Sequence, residues 1–373
     1  MSRNLLDYLR RLPPSGSNGF EGLIAKQLEN LTDRRFFLSQ SGSQSGRDMK
    51  SDRQQGNVMA AECKRYGDKR KFDLTELQGK LAQAEIDGPD LDLWILAATR
   101  AIPDQIISKL SLQGDKQGIE IRTISSDDGD PSSIELLCAY GSETTLSALT
   151  EHLKQKEIAI LRRELNAIGV RPGFQKSLQR LKKEFGTEEI GYGNWRGRQN
   201  EWFIERLRSE SESRAAFLQL LNIEENEENL VERRSVWNDL DKWLSDWSKN
   251  KKPLVLHGEE GDGKTWAIAS WLSKCIKARP EFPPVIFLSS KKADFDQPLT
   301  LLSRAVARQL GESRDGYWAK KFRRWMKKSV DQSPVVLLVL DGINECRTPD
   351  WWRACIEALA AEPWSDRVAV LIT

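Results

Sequence analysis

The sequence contains little histidine and cysteine and no long apolar run, and each shortage excludes a class of protein. Its 373 residues include two His and five Cys, without the paired spacing of a structural metal site. An odd cysteine count argues against a disulfide framework and favours a reducing, cytoplasmic location. The longest apolar run, 335–340, has six residues, whereas a membrane-spanning helix needs about 20. We therefore expect no membrane segment, and the charged N-terminus lacks a signal-peptide core.

The length and charge of the chain set broad limits on its organisation. A chain of 373 residues suggests two or three domains, each with its own core. With 57 Lys and Arg against 55 Asp and Glu, the total charge neither requires nor forbids a nucleic-acid partner. The pattern of helices and strands predicts an α/β domain over 1–142, a helical connector over 143–228 and a second α/β domain over 229–373.

Apolar periodicity predicts the elements of both α/β domains. In the first domain we predict helices over 19–37, 73–86 and 102–112, and strands over 57–66, 91–99 and 118–125. In the second we predict helices over 231–247, 264–278 and 350–361, and strands over 253–257, 285–290, 335–341 and 367–373. Strands that alternate with helices predict a doubly wound parallel sheet in the second domain.

The first group of candidate site residues lies on and just before the first of these strands. Side chains alternate along a strand, so Glu62 and Lys64 share one face. With Asp48 they form an Asp…Glu-x-Lys set, in which two carboxylates can hold Mg²⁺ and an ammonium can offset charge on a phosphate. The basic stretch 64–71 can hold a phosphate backbone. An ordinary Glu–Lys pair beside a solvated basic loop is the alternative explanation of this spacing.

These residues are part of a longer resemblance. The segments GFEGLIAKQL, SGSQSGRD, VMAAECKRY, TELQGK and LWILAAT resemble, in this order, the Mrr-like branch of the PD-(D/E)xK restriction-endonuclease superfamily over about residues 15–130. The resemblance implies a restriction-endonuclease-like α/β core that cleaves DNA with Mg²⁺. It implies metal ligands at Asp48 and Glu62, a catalytic lysine at Lys64, and supporting roles for Glu21 and Gln78. Asp52 competes with Asp48 as the first carboxylate, although the SGSQSGRD segment favours Asp48.

The second group of candidate residues lies in the segment GEEGDGKT, which fits G-x-x-x-x-G-K-[ST] between a predicted strand and a predicted helix. Backbone N–H groups of such a loop hold phosphates, Lys264 reaches the β and γ phosphates, and the Thr265 hydroxyl ligates Mg²⁺. Acidic side chains are unfavourable beside a phosphate, so we expect those of the loop to point to solvent. The predicted nucleotide-binding residues of the loop are Gly258, Glu259, Glu260, Gly261, Asp262, Gly263, Lys264 and Thr265.

A carboxylate follows at the end of the strand predicted over 335–341. Asp341 stands where a Walker B aspartate belongs, and we expect it to bind Mg²⁺ while Glu345 orients the attacking water. The segments LDGINE and LVERRSVWNDLDKWL resemble the NTPase module of STAND proteins, including the NACHT type. In that family the acidic motif reads Asp-Gly-x-Asp-Glu, and Asn344 replaces its middle Asp here. The resemblance implies ATP binding, and the replacement bears on the rate of hydrolysis.

An Mrr-like nuclease followed by a STAND module resembles the bacterial antiviral STAND (Avs) defence proteins. This similarity implies a DNA endonuclease effector gated by an ATP-binding module. A C-terminal sensor would recognise a phage protein, the chains would form a homo-oligomer, and the effector would cut double-stranded DNA. A modification-dependent or NTP-dependent restriction enzyme, acting without a protein trigger, is the leading alternative. A nucleic-acid-binding scaffold with an inactive nuclease fold is a third, against which the presence of Asp48, Glu62 and Lys64 argues.

Two further expectations concern the second half of the chain. Trp318, Phe322 and Trp325 share one face of a basic helix, which can indicate nucleic-acid binding, but we predict that this aromatic face is core. The segment RVAVLIT, at the end of the sequence, resembles the sensor 1 strand of a STAND module. We therefore expect the remaining sheet, a winged helix and any sensor to lie outside this chain, so that residues 1–373 alone bind nucleotide weakly and lack regulated assembly.

Overall fold

The chain forms a mixed α/β protein with two compact units, residues 1–194 (unit 1) and 195–373 (unit 2). The computed structural model describes residues 3–39, 46–52, 57–67, 70–88, 91–127, 129–186, 195–198, 233–259, 261–279, 282–289, 297–311, 314–327, 336–343 and 348–373. Within these ranges, none of the helices combines the length and apolarity needed to cross a membrane. The mixed α/β class predicted from the sequence is confirmed.

Unit 1 is built on a five-stranded mixed sheet. Its helices are α1 (Arg3–Leu9), α2 (Phe20–Thr32), α3 (Leu74–Asp87), α4 (Asp104–Gln117), α5 (Ser133–Tyr140), α6 (Ser142–Leu149), α7 (Gln155–Gly169) and α8 (Phe174–Glu184). Its strands, in spatial order, are β1 (Phe36–Leu38), β2 (Met49–Ser51), β3 (Met59–Lys64), β4 (Leu93–Ala98) and β5 (Glu120–Ile124). The β1–β2 and β2–β3 pairs are antiparallel, whereas the β3–β4 and β4–β5 pairs are parallel.

Alternation along β3 sends its side chains into two different apolar cores. Met59, Ala61 and Cys63 pack with residues of α2 and α5 to α8. Ala60 packs on the other side of the sheet with residues of α3 and α4. Glu62 therefore faces the α3 layer, as the alternation predicted.

The helices that follow residue 142 pack on the core of unit 1. The sequence pattern placed the end of the first domain at 142 and a connector after it, whereas the division between the compact units falls at 194. Both α7 and α8 are charged on one face and apolar on the other, and their apolar faces are buried in the core that also contains α2. The buried residues are Leu161, Leu165, Ile168, Phe174, Leu178 and Leu181. The rest of the predicted connector, 187–194 and 199–228, lies outside the described residues.

The helix predicted over 19–37 is shorter than expected. It ends at Thr32, because Asp33 adopts a left-handed backbone conformation with φ of 58°. Phe36–Leu38 then form β1, which pairs with β2. The helical spacing of apolar residues gave no sign of this stop. The usual signal for a helix end, a glycine in the left-handed conformation, is absent because Asp33 takes that position.

Unit 2 contains a four-stranded parallel sheet, so the predicted parallel sheet is confirmed. Its helices are α9 (Arg234–Asn250), α10 (Lys264–Ala278), α11 (Pro298–Gln309), α12 (Asp315–Lys327) and α13 (Pro349–Ala360). Its strands are β6 (Leu254–Val255), β7 (Val285–Ser289), β8 (Val336–Asp341) and β9 (Val368–Ile372), with the spatial order β6-β9-β8-β7. Because the strands are parallel, their carboxyl ends meet at one edge, where α/β proteins bind ligands.

The aromatic face of α12 is core, as predicted. Trp318, Phe322 and Trp325 are buried and surround the buried Trp195, with ring centres 6.3, 5.8 and 6.0 Å from its ring. Edge-on and stacked contacts of this kind stabilise a core beyond simple area burial. Of the basic residues of this helix, Arg323 is exposed, whereas Lys321 is buried with the aromatic residues and lies 5.5 Å from the Tyr317 ring centre.

Gly46 holds the segment before Asp48 tightly against α3. Its φ of 67° lies in the left-handed region, and a Cβ at this position would be 2.0 Å from the Lys80 carbonyl oxygen and 2.6 Å from the Ala84 nitrogen. The indole N–H of the buried Trp94 donates a hydrogen bond of 3.3 Å to the Gly46 carbonyl. Only glycine fits this close approach between two backbones.

We predict that Gly46→Ala destabilises unit 1 by about 2 kcal/mol or more, because the new methyl group meets backbone atoms. Faster hydrogen exchange of the β3 and β4 amides measures this loss. Gly79→Ala is the matched control on α3, where an added Cβ meets nothing within 4 Å, and it should stabilise the helix by up to about 1 kcal/mol. Unchanged exchange in Gly46→Ala would contradict the close approach.

Candidate functional site

Asp48 and Glu62 are brought together by the pairing of β2 with β3. Met49, the first residue of β2, lies opposite Ala61, so Asp48, immediately before it, lies beside Ala61 and Glu62 at this end of the strand pair. The Asp48 N–H donates to the Ala61 carbonyl at 2.8 Å. The Cys63 N–H donates to Asp48 Oδ2 at 2.6 Å. These bonds hold the Asp48 carboxylate at the end of β3.

Asp52, the competing candidate, lies beyond the other end of β2. Four residues of extended chain, about 13 Å, separate it from Asp48. Its N–H donates to the Arg35 carbonyl, and its carboxylate is an electrostatic neighbour of the buried Arg34 guanidinium. Of the two aspartates, Asp48 is the one beside Glu62.

Glu62 and Lys64 form an ion pair that is almost completely buried. Lys64 Nζ is 2.9 Å from Glu62 Oε1, and the two side chains are 11% and 2% exposed. Lys64 Nζ also lies 2.6 Å from Glu76 Oε1. Burial alone would lower the pKa of Lys64, but the Glu62 and Glu76 carboxylates outweigh it and the net pKa is raised. Lys64 is therefore a fixed ammonium and cannot act as a base at neutral pH.

The carboxylates around this lysine repel one another. Burial raises the pKa of Asp48 to about 7, the nearby Glu62 carboxylate adds to the shift, and the hydrogen bond from Cys63 opposes it. Burial also raises the pKa of Glu21, in the first turn of α2, and Glu62 adds to that shift as well. The structure thus brings Glu21 into the same electrostatic environment as Asp48 and Glu62.

The two central carboxylates fit a hard divalent cation. Glu62 Oε2 is buried and, among the described residues, has no hydrogen-bond partner. A buried acceptor without a partner costs about 1–3 kcal/mol, and a cation between Asp48 and Glu62 would satisfy it and relieve their repulsion. Magnesium often takes one or two carboxylates and keeps several waters. Among the described residues, no group of three or more His, Cys, Asp or Glu is arranged to hold a metal ion.

Helix α3 presents Glu76 and Lys80 to this site, on one face because they are four residues apart. Lys80 Nζ is 3.9 Å from Glu62 Oε1. Gln78 lies between them in sequence but on a different face of the helix. Its backbone carbonyl accepts a hydrogen bond of 3.0 Å from Gln113 Nε2 of α4. The described contacts therefore bring Glu76 and Lys80, rather than the predicted Gln78, to the carboxylates. Their i, i+4 spacing was the sequence signal that could have identified them.

The Gly-rich loop of unit 2 joins β6 to α10. Gly261 and Gly263 have φ of 87° and 70°, left-handed conformations that favour glycine. Gly263 immediately precedes α10, so the loop ends at a helix N-terminus, where N–H groups favour anions. Lys264 Nζ donates to the Gly258 and Glu259 carbonyls at 2.9 and 2.7 Å. The lysine is thus folded back over the loop that carries it.

Asp262 does not simply point to solvent, as we expected of the acidic loop residues. It is exposed, but its Oδ2 accepts a hydrogen bond of 2.6 Å from the Glu259 N–H. The tight turn places the carboxylate within reach of that backbone donor, as Asp side chains often are in turns. A phosphate oxygen would have to replace the carboxylate at this N–H. Glu260 lies outside the described residues.

Asp341 at the carboxyl end of β8 meets the first turn of α10. Its Oδ1 accepts hydrogen bonds of 2.7 Å from both Thr265 Oγ1 and Thr373 Oγ1. Thr373 Oγ1 in turn accepts from the Gly342 N–H at 2.9 Å. Thr265 and Asp341 are thus close enough to share a cation. The sequence reasoning missed Thr373, whose position after a strand parallel to β8 was the available signal. Glu345 lies outside the described residues.

Arg233 is a further cation at the Gly-rich loop. Its Nη2 is 3.2 Å from the position that a Cβ on Gly263 would occupy. A guanidinium presents several donors in a geometry that suits phosphate. Arg233 lies in the segment LVERRSVWNDLDKWL, but sequence reasoning assigned it no role at the phosphates, because it lies 30 residues before Gly263 and meets the loop only in the folded unit.

Comparison with known proteins adds no family assignment to this geometry. No protein-family model matches the chain, and no curated protein matches it significantly. The function must therefore be inferred from the two sites themselves.

Without a bound cation, we predict that unit 1 loses stability as the pH rises from 3.8 towards about 7, the ordinary and the raised pKa of Asp48. Over this range the folded state keeps a proton that the unfolded state releases, so a rising pH favours unfolding. Asp48→Asn removes this titration and should flatten the profile. Thermal unfolding in chelator across this range measures it, and identical profiles for the two proteins would contradict the shifted pKa.

Proposed function

We propose that this chain is an anti-phage defence protein, in which a Mg²⁺-dependent DNA endonuclease is controlled by an ATP-binding STAND module. The observation that carries the proposal is the arrangement of Asp48, Glu62 and Lys64. Two neighbouring carboxylates, one with a buried oxygen that has no partner among the described residues, stand beside a permanently charged lysine. This is the set of groups that metal-assisted phosphodiester hydrolysis requires.

In this proposal each group has a separate role. Asp48 and Glu62 would hold the cation, with Glu62 Oε2 available to the metal while Oε1 keeps its contact with Lys64. When bound, Mg²⁺ polarises the scissile phosphate and lowers the pKa of a bound water. The Lys64 ammonium then faces the phosphate and stabilises the negative charge that develops on it. Glu76 keeps Lys64 in place from the other side, and Lys80 reduces the negative potential around Glu62.

The second site supports nucleotide control. The Gly-rich loop, Lys264 and Arg233 would surround the phosphate chain of a bound ATP, and Thr265 and Asp341 would supply oxygen ligands for its Mg²⁺. Binding of ATP would replace the internal contacts of Lys264 and Asp262. A nuclease that is always active would damage the DNA of its own cell, so we infer that ATP and a phage protein together drive homo-oligomer assembly and thereby release double-stranded DNA cleavage.

We predict that Lys64→Ala lowers the rate of plasmid cleavage by about 100-fold or more, because the charge that faces the phosphate is lost. Asp48→Asn and Glu62→Gln should act through the metal instead and reduce Mn²⁺ binding measured by calorimetry. Lys109→Ala, an exposed lysine on α4, is the control and should cleave as the unmodified protein does. Undiminished cleavage by Lys64→Ala would refute the nuclease assignment.

We predict that Lys264→Ala abolishes ATP binding and with it the cleavage that ATP and a phage protein release, because the lysine that reaches the phosphates is gone. The measurements are ATP titration and cleavage with Mg²⁺, ATP and a panel of phage proteins. Lys277→Ala, in the last turn of the same helix, is the matched control. ATP-dependent cleavage that survives in Lys264→Ala would refute the gating. Cleavage of modified DNA without any phage protein would indicate a restriction enzyme instead.

A further inference from the structure

The loops that follow β3 and β4 are joined rigidly beside Lys64. The Thr99 N–H donates to the Lys64 carbonyl at 3.2 Å. Thr99 Oγ1 donates to the Tyr66 carbonyl at 2.9 Å and accepts from the Tyr66 N–H at 3.0 Å. Because β3 and β4 are parallel and Lys64 pairs with Ala98, both loops leave the same edge of the sheet. These bonds hold Tyr66 and Thr99 in fixed positions relative to Lys64.

Two arginines rest on a pair of aromatic rings in these loops. The rings of Tyr66 and Phe72 are 5.2 Å apart. The guanidinium carbon of Arg70 is 4.6 Å from the Tyr66 ring centre, and that of Arg100 is 5.8 Å from the Phe72 ring centre. Arg100 Nη1 also donates to the Arg70 carbonyl. We call these four residues, Tyr66, Phe72, Arg70 and Arg100, the arginine platform.

The platform is cationic and open to solvent. Arg70 and the neighbouring Lys71 are exposed, and Arg100 is half-buried. Among the described residues of this region, Asp73 accepts from backbone N–H groups at the start of α3 and Glu76 pairs with Lys64. A guanidinium stacked on a ring, as that of the exposed Arg70 is, can present N–H groups at its edge to a phosphate.

We propose that the arginine platform binds the phosphate backbone of the DNA substrate next to the phosphate that is cut, an inference that rests on the proposed nuclease function. Guanidinium groups bind phosphates through paired, charge-assisted hydrogen bonds. Two of them on a rigid surface can engage phosphates with little loss of side-chain freedom. A polyanion fits this surface better than a single phosphate does, because the two arginines are separate sites on an exposed face. Their fixed position beside Lys64 orients the strand for cleavage.

The test compares DNA binding by the full chain and by the double variant Arg70→Ala/Arg100→Ala. Fluorescence anisotropy of a labelled duplex, in chelator so that no cleavage occurs, is measured over a range of salt concentrations. The double variant should bind at least about tenfold more weakly and its salt slope should fall by about two. Arg180→Ala is the control, because Arg180 is an exposed arginine on α8, and it should change neither quantity.

Two further measurements separate this inference from the proposed function. In cleavage assays the double variant should raise KM while kcat stays within about twofold. A double lysine variant, Arg70→Lys/Arg100→Lys, keeps the charge and should retain the salt slope while binding more weakly. Unchanged affinity and slope in a folded alanine variant, or stronger binding to anionic vesicles than to DNA, would overturn the platform. DNA binding that depends on the platform in a protein that never cleaves would uphold it and refute the nuclease function alone.

Discussion

The repulsion between Asp48 and Glu62 is the constraint on which the first unit depends. The β2–β3 register fixes the two carboxylates side by side, and burial prevents water from screening their charges. Lys64 and Lys80 offset part of the repulsion, yet Asp48 keeps a raised pKa and Glu62 keeps a buried oxygen without a described partner. The packing of α3 against the Asp48 segment, through the close contact at Gly46, serves to hold this unfavourable arrangement.

In the Gly-rich loop of the second unit, the polar groups form hydrogen bonds with one another, unlike the two carboxylates of the first unit, which repel each other. Lys264 bonds to loop carbonyls, Asp262 to a loop N–H and Thr265 to Asp341. A nucleotide bound at this loop, as we propose, would have to exchange each of these bonds, so its affinity would be a difference between similar interactions.

Several features of both sites could be predicted because they depend on short-range geometry. The alternation along β3 placed Glu62 and Lys64 on one face, and the spacing of glycines identified the loop before α10. The partners supplied by other elements could not be predicted in this way. Glu76, Thr373 and Arg233 reach their sites only through tertiary packing. The helix predicted over 19–37 ends at Thr32, because Asp33 adopts a left-handed conformation. The spacing of apolar residues carries no information about a single φ angle.

By itself, the sequence determined the class of many helices and strands and the parallel sheet of unit 2, and it named the residues that we propose for phosphate chemistry. These follow from local rules, since side-chain alternation, glycine conformations and apolar periodicity act over a few residues. The sequence favoured Asp48 over Asp52 only through the SGSQSGRD resemblance, and the tertiary structure decided which of them meets Glu62, through the pairing of β2 with β3. It also decided that α7 and α8 bury their apolar faces in unit 1. Burial and charge neighbours are properties of the packed chain, so pKa shifts and ion pairs arise only there.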